Sequence, residues 1–146
     1  MLFGKRERRI ARVLVVEDEP LVAFETEHFL ISEGFEIVAT VESVEHSLVV
    51  IAEAEAIDLV LVDVNLADGS GIDVARAANA RGIAVLFVTG ECPGHARALA
   101  IGCLGKPFPQ RDLLAAIKTI DLILAGGAPP KRLPGSFTLF GERVGS

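Results

Sequence analysis

Three short runs of the chain are apolar at every position: Val13-Leu14-Val15-Val16, Leu59-Val60-Leu61-Val62 and Ala84-Val85-Leu86-Phe87-Val88. Runs of this length, rich in β-branched residues and without polar alternation, predict strands buried on both faces. Residues 35–41 form a weaker run, and Cys103-Leu104 a brief fifth. Between the runs the period lengthens to that of a helix. Pro20 suits a first helical turn, where its missing N–H removes no bond. Leu21, Phe24, His28 and Ile31 then share one stripe, which Gly34 stops. Val44, Leu48 and Ile51 form a second stripe. Ile72, Ala75 and Ala78 form a third, small-sided enough to pack close to a sheet. Leu113, Ile117, Ile120 and Leu124 form the last, ended by Gly126-Gly127.

Strand then helix, repeated, predicts a parallel sheet with helices on both faces. The right-handed crossover rule leaves few topologies. The expected fold is α/β, a flavodoxin-like doubly wound sheet of five parallel strands in the order 2-1-3-4-5. Residues 12–125 carry this pattern. Residues 1–11 form a basic arm with Lys5, Arg6, Arg8 and Arg9, expected to be solvated. Residues 126–146 are rich in Gly and Pro and are expected to be a partly disordered tail, with Phe137, Leu139 and Phe140 able to dock.

Composition narrows the functions. The 146 residues include 20 acidic and 14 basic ones, a net charge of −6, with no Trp or Tyr. That argues against nucleic-acid binding through stacked bases or phosphate contacts. The longest clean apolar run, residues 83–88, is far short of the ~20 residues of a membrane-spanning helix. No apolar signal core follows the basic start, so a cytoplasmic location is expected. Cys92 and Cys103 form no CxxC or metal spacing, and each is expected to be a buried or half-buried thiol.

In doubly wound sheets, function sits at the carboxyl ends of the strands. The first strand ends in Glu17-Asp18-Glu19, the third in Asp63, the fourth in Thr89, and Lys106 follows the fifth. Taken singly, each is an ordinary loop or turn residue. Taken together they make a site. Close carboxylates repel, and a hard divalent ion relieves this. Mg²⁺ takes oxygen ligands and is commonly held by one or two carboxylates and a phosphate. A hydroxyl and an ammonium beside it suit a phosphoryl group. Asp63 is the candidate nucleophile, since a carboxylate can form an acyl phosphate.

These motifs resemble those of the receiver domain of bacterial response regulators. The resemblance rests on VLVVEDEP at 13–20, DLVLVDVNLADGSG at 58–71, LFVTG at 86–90 and GKPF at 105–108. It implies that Asp63 is the phosphoacceptor. It implies that Glu17, Asp18, Asp63 and the backbone carbonyl of Asn65 hold Mg²⁺. Thr89 and Lys106 would contact the phosphoryl group, Thr89 as the switch. The bond between Lys106 and Pro107 is usually cis in the family. The implied partner is a histidine kinase or phosphotransfer protein. Phe87-Val88-Thr89-Gly90 is similar to the FxTG subgroup paired with HWE-type kinases.

Three positions depart from that family pattern. Thr89 and Lys106 are 17 residues apart, about one helical turn closer than usual. With Gly90, Pro93 and Gly94 in the interval, a short or irregular fourth helix is expected. Cys103 stands where receivers carry an aromatic switch residue, and a thiol cannot act as that lever. Ala67 stands where the loop often has Pro, with Asp68-Gly69 still supplying a turn.

With no output domain in view, the resemblance suggests a single-domain regulator acting by protein contact or as a phosphate sink. It would catalyse only its own phosphorylation and dephosphorylation. A phosphorylation-independent adaptor and an aspartyl-nucleophile phosphatase are the alternatives. The phosphatase generally wants a second carboxylate two residues after the nucleophile, where Asn65 stands.

Overall fold

The computed structural model describes residues 9–140, so most of the basic arm and the last six residues lie outside the described part. The strands are β1 (Arg12–Val16), β2 (Glu36–Val41), β3 (Leu59–Val62), a two-residue hairpin of β4 (Asn65–Leu66) and β5 (Gly69–Ser70), β6 (Ala84–Thr89), β7 (Gly102–Gly105) and β8 (Phe137–Leu139). The helices are α1 (Pro20–Ser32), α2 (Val44–Glu53), α3 (Gly71–Ala80) and α4 (Gln110–Leu124). The main sheet runs β2-β1-β3-β6-β7-β8. Its first five members are parallel, in the expected order. Leu59, Val60, Leu61 and Val62 are all buried, as a strand covered on both faces requires.

The apolar pattern splits into two cores, one on each side of the sheet. On one side Val60, Val62, Val85 and Phe87 meet Val74, Ala75 and Ala78 of α3 and Ile51 of α2. On the other, Leu59, Leu61 and Leu86 meet Leu113, Ile117 and Ile120 of α4 and Leu30 of α1. The chain start is anchored by acidic acceptors. Arg9 and Ile10 N–H both donate to Asp121 Oδ1, and Ala11 and Arg12 N–H to Asp58 Oδ2.

Four expectations need correction. The stripe of Leu21, Phe24, His28 and Ile31 does not face the core. Leu21, Phe24 and Ile31 are 68, 58 and 51% exposed, and Ala23 and Leu30 pack inward instead. Helix α1 is apolar on more than one side, so its stripe could not decide which side is buried. His28 lies on that outer face, its ring against Phe24 and its Nδ1 at 3.0 Å from the Phe24 carbonyl. In α2, likewise, Leu48 is exposed while Ser47 and Ile51 turn inward.

The third correction concerns the tail. Phe137–Leu139 forms β8, antiparallel to β7, and Phe140 is 1% exposed. The fourth concerns the cysteines. Cys92 and Cys103 are joined in a disulfide, with Cα atoms 6.0 Å apart. That separation suits a bridge, and a gap of ten intervening residues offered no motif to reveal it.

The last two features meet at the shortened helix. Where the fourth helical element should stand there is only a 3₁₀ turn over Gly94–Leu99. This leaves the β6–β7 side of the sheet thinly covered. Phe140 fills the space, packing in one cluster with Phe87, Ala96, Ala100 and Cys103. Its N–H donates to the Ile101 carbonyl, and the Arg97 guanidinium lies 4.7 Å from its ring centre. Gly102 allows the approach, since a Cβ there would sit 2.7 Å from both the Phe137 ring and the Thr138 carbonyl.

Phe140→Ala is expected to lower stability by about 3 kcal/mol, the low end for deleting a buried phenyl ring. Urea unfolding followed by circular dichroism measures it. A loss near zero would mean that the ring is not part of the core.

Candidate functional site

The site is assembled by backbone hydrogen bonds between strand ends. Asp63 N–H donates to the Val16 carbonyl at 3.1 Å, tying the residue after β3 to the end of β1. Lys106 N–H donates to the Thr89 carbonyl at 2.8 Å, tying the residue after β7 to the end of β6. Gly71 then lets the chain double back over the acceptor loop. A Cβ at 71 would lie 2.0 Å from the Asp63 carbonyl oxygen, so only glycine fits. The role of Gly71 comes from this close approach and from no motif in the sequence.

The side chains converge on the Lys106 ammonium. Its Nζ donates to Glu17 Oε1 at 2.8 Å and to Asp63 Oδ2 at 2.9 Å. Glu17 Oε2 accepts from Glu19 N–H, and Asp63 Oδ1 accepts from Asn65 N–H at 3.0 Å. Glu17 and Asp63 are buried, while Asp18 is half-buried. Asn65 therefore touches the site through its N–H. The structure brings together Glu17, Asp63, Lys106 and Asn65 by direct contact, with Asp18 beside them. The peptide bond between Lys106 and Pro107 is cis.

Thr89 is buried, and among the described residues its Oγ1 has no hydrogen-bond partner. A buried polar atom without a partner costs about 1–3 kcal/mol, so the hydroxyl stands ready for an acceptor. Cys103 is fully buried in β7 and bonded to Cys92. Asp68, noted only as a turn residue, has a second role. Its carboxylate accepts from Val44 and Glu45 N–H at the start of α2, which holds its pKa below the usual value.

Burial pushes the Glu17 pKa up, and the Asp63 charge adds to this. The hydrogen bonds from Lys106 and Glu19 oppose without prevailing. Burial alone would lower the Lys106 pKa, but hydrogen bonds and charges from Glu17 and Asp63 outweigh it and raise it. A raised pKa marks a favoured charge on the lysine and a penalised one on the glutamate. One ammonium does not satisfy the whole cluster. Glu17, Asp18 and Asp63 each offer a carboxylate oxygen, all within 4.8 Å of one another. Such an all-oxygen, half-open set fits a hard cation of the Mg²⁺ type.

Residues 13–118 match the sequence profile of the response regulator receiver domain. The chain is 35% identical over 113 residues to the transcriptional regulatory protein PdtaR of Mycobacterium tuberculosis, covering 73% of this chain and 55% of that one. It spans about half the length of the curated relatives it matches. A receiver domain protein from Methanospirillum hungatei has a similar structure, with a TM-score of 0.67 and 29% identity over 75% of this chain and 91% of that one. So has TrrA of Thermotoga maritima, solved with Mg²⁺ and BeF, with a TM-score of 0.66 and 27% identity over 75% of this chain and 97% of that one.

The sign of the Glu17 shift makes a prediction. A carboxylate with a raised folded pKa penalises the fold above that pKa, and the penalty is relieved as pH falls through it. For Lys106 the stabilisation is present below its unfolded pKa and lost only as pH rises through its raised folded value. Without divalent ions, Glu17→Gln should unfold at higher denaturant than the parent at pH 7. The gap should narrow as pH falls toward 4.5, the ordinary glutamate value. A parent more stable than the variant throughout would show the carboxylate to be well satisfied.

Proposed function

Because the chain belongs to the response regulator receiver domain family, we propose that it accepts a phosphoryl group on Asp63 from a phosphohistidine. A carboxylate oxygen of Asp63 attacks phosphorus, the P–N bond breaks, and the imidazole nitrogen keeps the electron pair. The observation that carries this reading is the quartet of Glu17, Asp63, Lys106 and, among the described residues, an unpartnered Thr89 hydroxyl at the carboxyl ends of the parallel strands.

Glu17, Asp18 and Asp63, with the Asn65 carbonyl, are the residues that would hold Mg²⁺. When bound, the ion neutralises charge on the phosphoryl oxygens. Lys106 already donates to Asp63 Oδ2 and moves its proton donors from carboxylate to phosphoryl oxygen. Asn65 N–H holds the other carboxylate oxygen in place. Thr89 Oγ1 gains an acceptor that it lacks before phosphorylation, which pulls the end of β6 toward Asp63. The chain catalyses only these steps on itself.

The donor in this reading is a histidine kinase or phosphotransfer protein in the cytoplasm. The Phe87-Val88-Thr89-Gly90 motif and the 3₁₀ turn after it favour an HWE-type kinase. Its helical phosphohistidine domain docks on the exposed apolar face of α1, at Leu21 and Phe24, which leads directly from the acidic loop at 17–19. Output is by protein contact or by draining phosphate from the donor.

Incubation with Mg²⁺ and acetyl phosphate should add one phosphoryl group by intact mass, and none to Asp63→Ala. Lys106→Ala should slow the reaction by about 10²-fold, as for loss of one charge-stabilising donor. Equal labelling of Asp63→Ala would overturn the assignment. Phe24→Glu should weaken transfer from a phosphorylated kinase by about tenfold or more while leaving the acetyl phosphate reaction unchanged. Loss of both reactions together would point to misfolding and not to docking.

A further inference from the structure

The disulfide lies just beyond the buried Thr89 hydroxyl. Cys92 is three residues after Thr89, and Cys103 sits in β7 directly beside Phe87 of β6. The bond therefore ties the first turn after the switch hydroxyl to the neighbouring strand.

We infer that Cys92 and Cys103 form a reversible redox latch on residues 90–100. Closed, it holds this segment against β7 and blocks its response to phosphorylation. Open, it frees the segment to follow Thr89. The second half of this inference rests on the receiver reading above, and the first half does not.

Three observations carry it. Disulfide Cα atoms lie about 4.4–6.8 Å apart. At 6.0 Å, Cys92 has less than about 1 Å of outward travel from Cys103 while the bond is closed. Among the described residues the segment is otherwise held by side chains: Asn79 Nδ2 donates to the Leu99 carbonyl, the Arg97 guanidinium lies over the Phe140 ring, and Ala96 and Ala100 pack against Phe140. Open space surrounds Gly90 and Gly94, where an added Cβ would meet nothing within 4 Å. A segment without a regular α-helical turn is one whose mobility a covalent bond can decide.

The chemistry is also asymmetric in a useful way. Cys103 is fully buried, whereas Cys92 is half-buried and reachable. Closure proceeds by exchange with a low-molecular-weight disulfide. The Cys92 thiolate attacks one of its sulfurs and releases one thiol, giving a mixed disulfide. The Cys103 thiolate then attacks Cys92 Sγ and releases the second thiol. Two protein thiols become one disulfide while one small disulfide becomes two thiols, and a dithiol reverses both steps. Glu17, Asp18, Asp63 and Lys106 take no part, so the latch leaves phosphoryl chemistry untouched and acts on its consequence.

Hydrogen exchange of the whole chain, read by mass spectrometry, tests this. The oxidised protein, the protein reduced with a phosphine, and Cys92→Ser are compared with and without Mg²⁺ and acetyl phosphate. Cys92→Ser opens the latch at its half-buried end and keeps Cys103 in β7. Without phosphorylation, residues 90–100 should exchange at least about tenfold faster in the reduced protein and in Cys92→Ser than in the oxidised protein. The difference should reverse on adding oxidised glutathione to the reduced parent, but not to the variant. Equal exchange in all three, or thiols that glutathione never joins, overturns the latch.

With acetyl phosphate, intact mass should show the same phosphoryl gain in oxidised and reduced protein. Only the reduced protein and the variant should then change their exchange at 90–100. An equal change in the oxidised protein overturns the blocking role. No phosphoryl gain in any form would count against the receiver reading alone, because the unphosphorylated comparison still decides whether the latch exists.

Discussion

The Lys106 ammonium holds together a site that would otherwise push itself apart. Glu17 and Asp63 arrive at the same carboxyl end of the sheet from the adjacent strands β1 and β3, both buried, and Lys106 donates to each. The rest of the local structure serves that bridge. Gly71 vacates the space that lets the acceptor loop close over Asp63. Lys106 N–H fixes the lysine to Thr89, and Asp63 N–H fixes the acceptor to β1. Burial keeps the Glu17 pKa raised in spite of the bridge, and three carboxylates share one ammonium. A second cation, or a transferred group that redistributes charge, therefore finds a site with negative charge to spare.

The opposite feature of the site is an absence of partners at Thr89. Its hydroxyl is buried with nothing to bind. Beyond it the chain gives up regular helix for a 3₁₀ turn, a disulfide and a strand supplied from the far end of the sequence. The region between β6 and β7 is thus built from other parts than a full helix. Phe140 supplies bulk, β8 supplies edge pairing, and the Cys92–Cys103 bond ties the loop after β6 to β7.

The sheet and the acidic site were legible in the sequence because both are local signals in series. Doubly buried strands leave uninterrupted apolar runs, and the residue that ends each run is placed by the fold itself. The same logic foresaw the broken helix from Gly90, Pro93 and Gly94. What failed depended on contacts that sequence spacing does not encode. An α1 apolar on two sides gave a stripe with no indication of which side the sheet would cover. Cys92 and Cys103 have no motif, and become partners only because β7 runs beside β6. Phe137 to Phe140 look like a tail because their pairing strand lies some thirty residues earlier, and because the vacancy that receives Phe140 exists only after the fourth helix has been lost.

The sixth strand also changes what counts as the unit that folds. The family profile ends at residue 118, and a boundary drawn there or just after α4 looks natural. A chain cut at either place would leave the β7 edge with its backbone groups unpaired, beside an unfilled apolar hollow lined by Ala96, Ala100 and Cys103. Such an edge invites another chain to add a strand. The shortened protein would be prone to swap or aggregate, and any neighbouring domain joined to this one must begin beyond Phe140 to leave the seal in place.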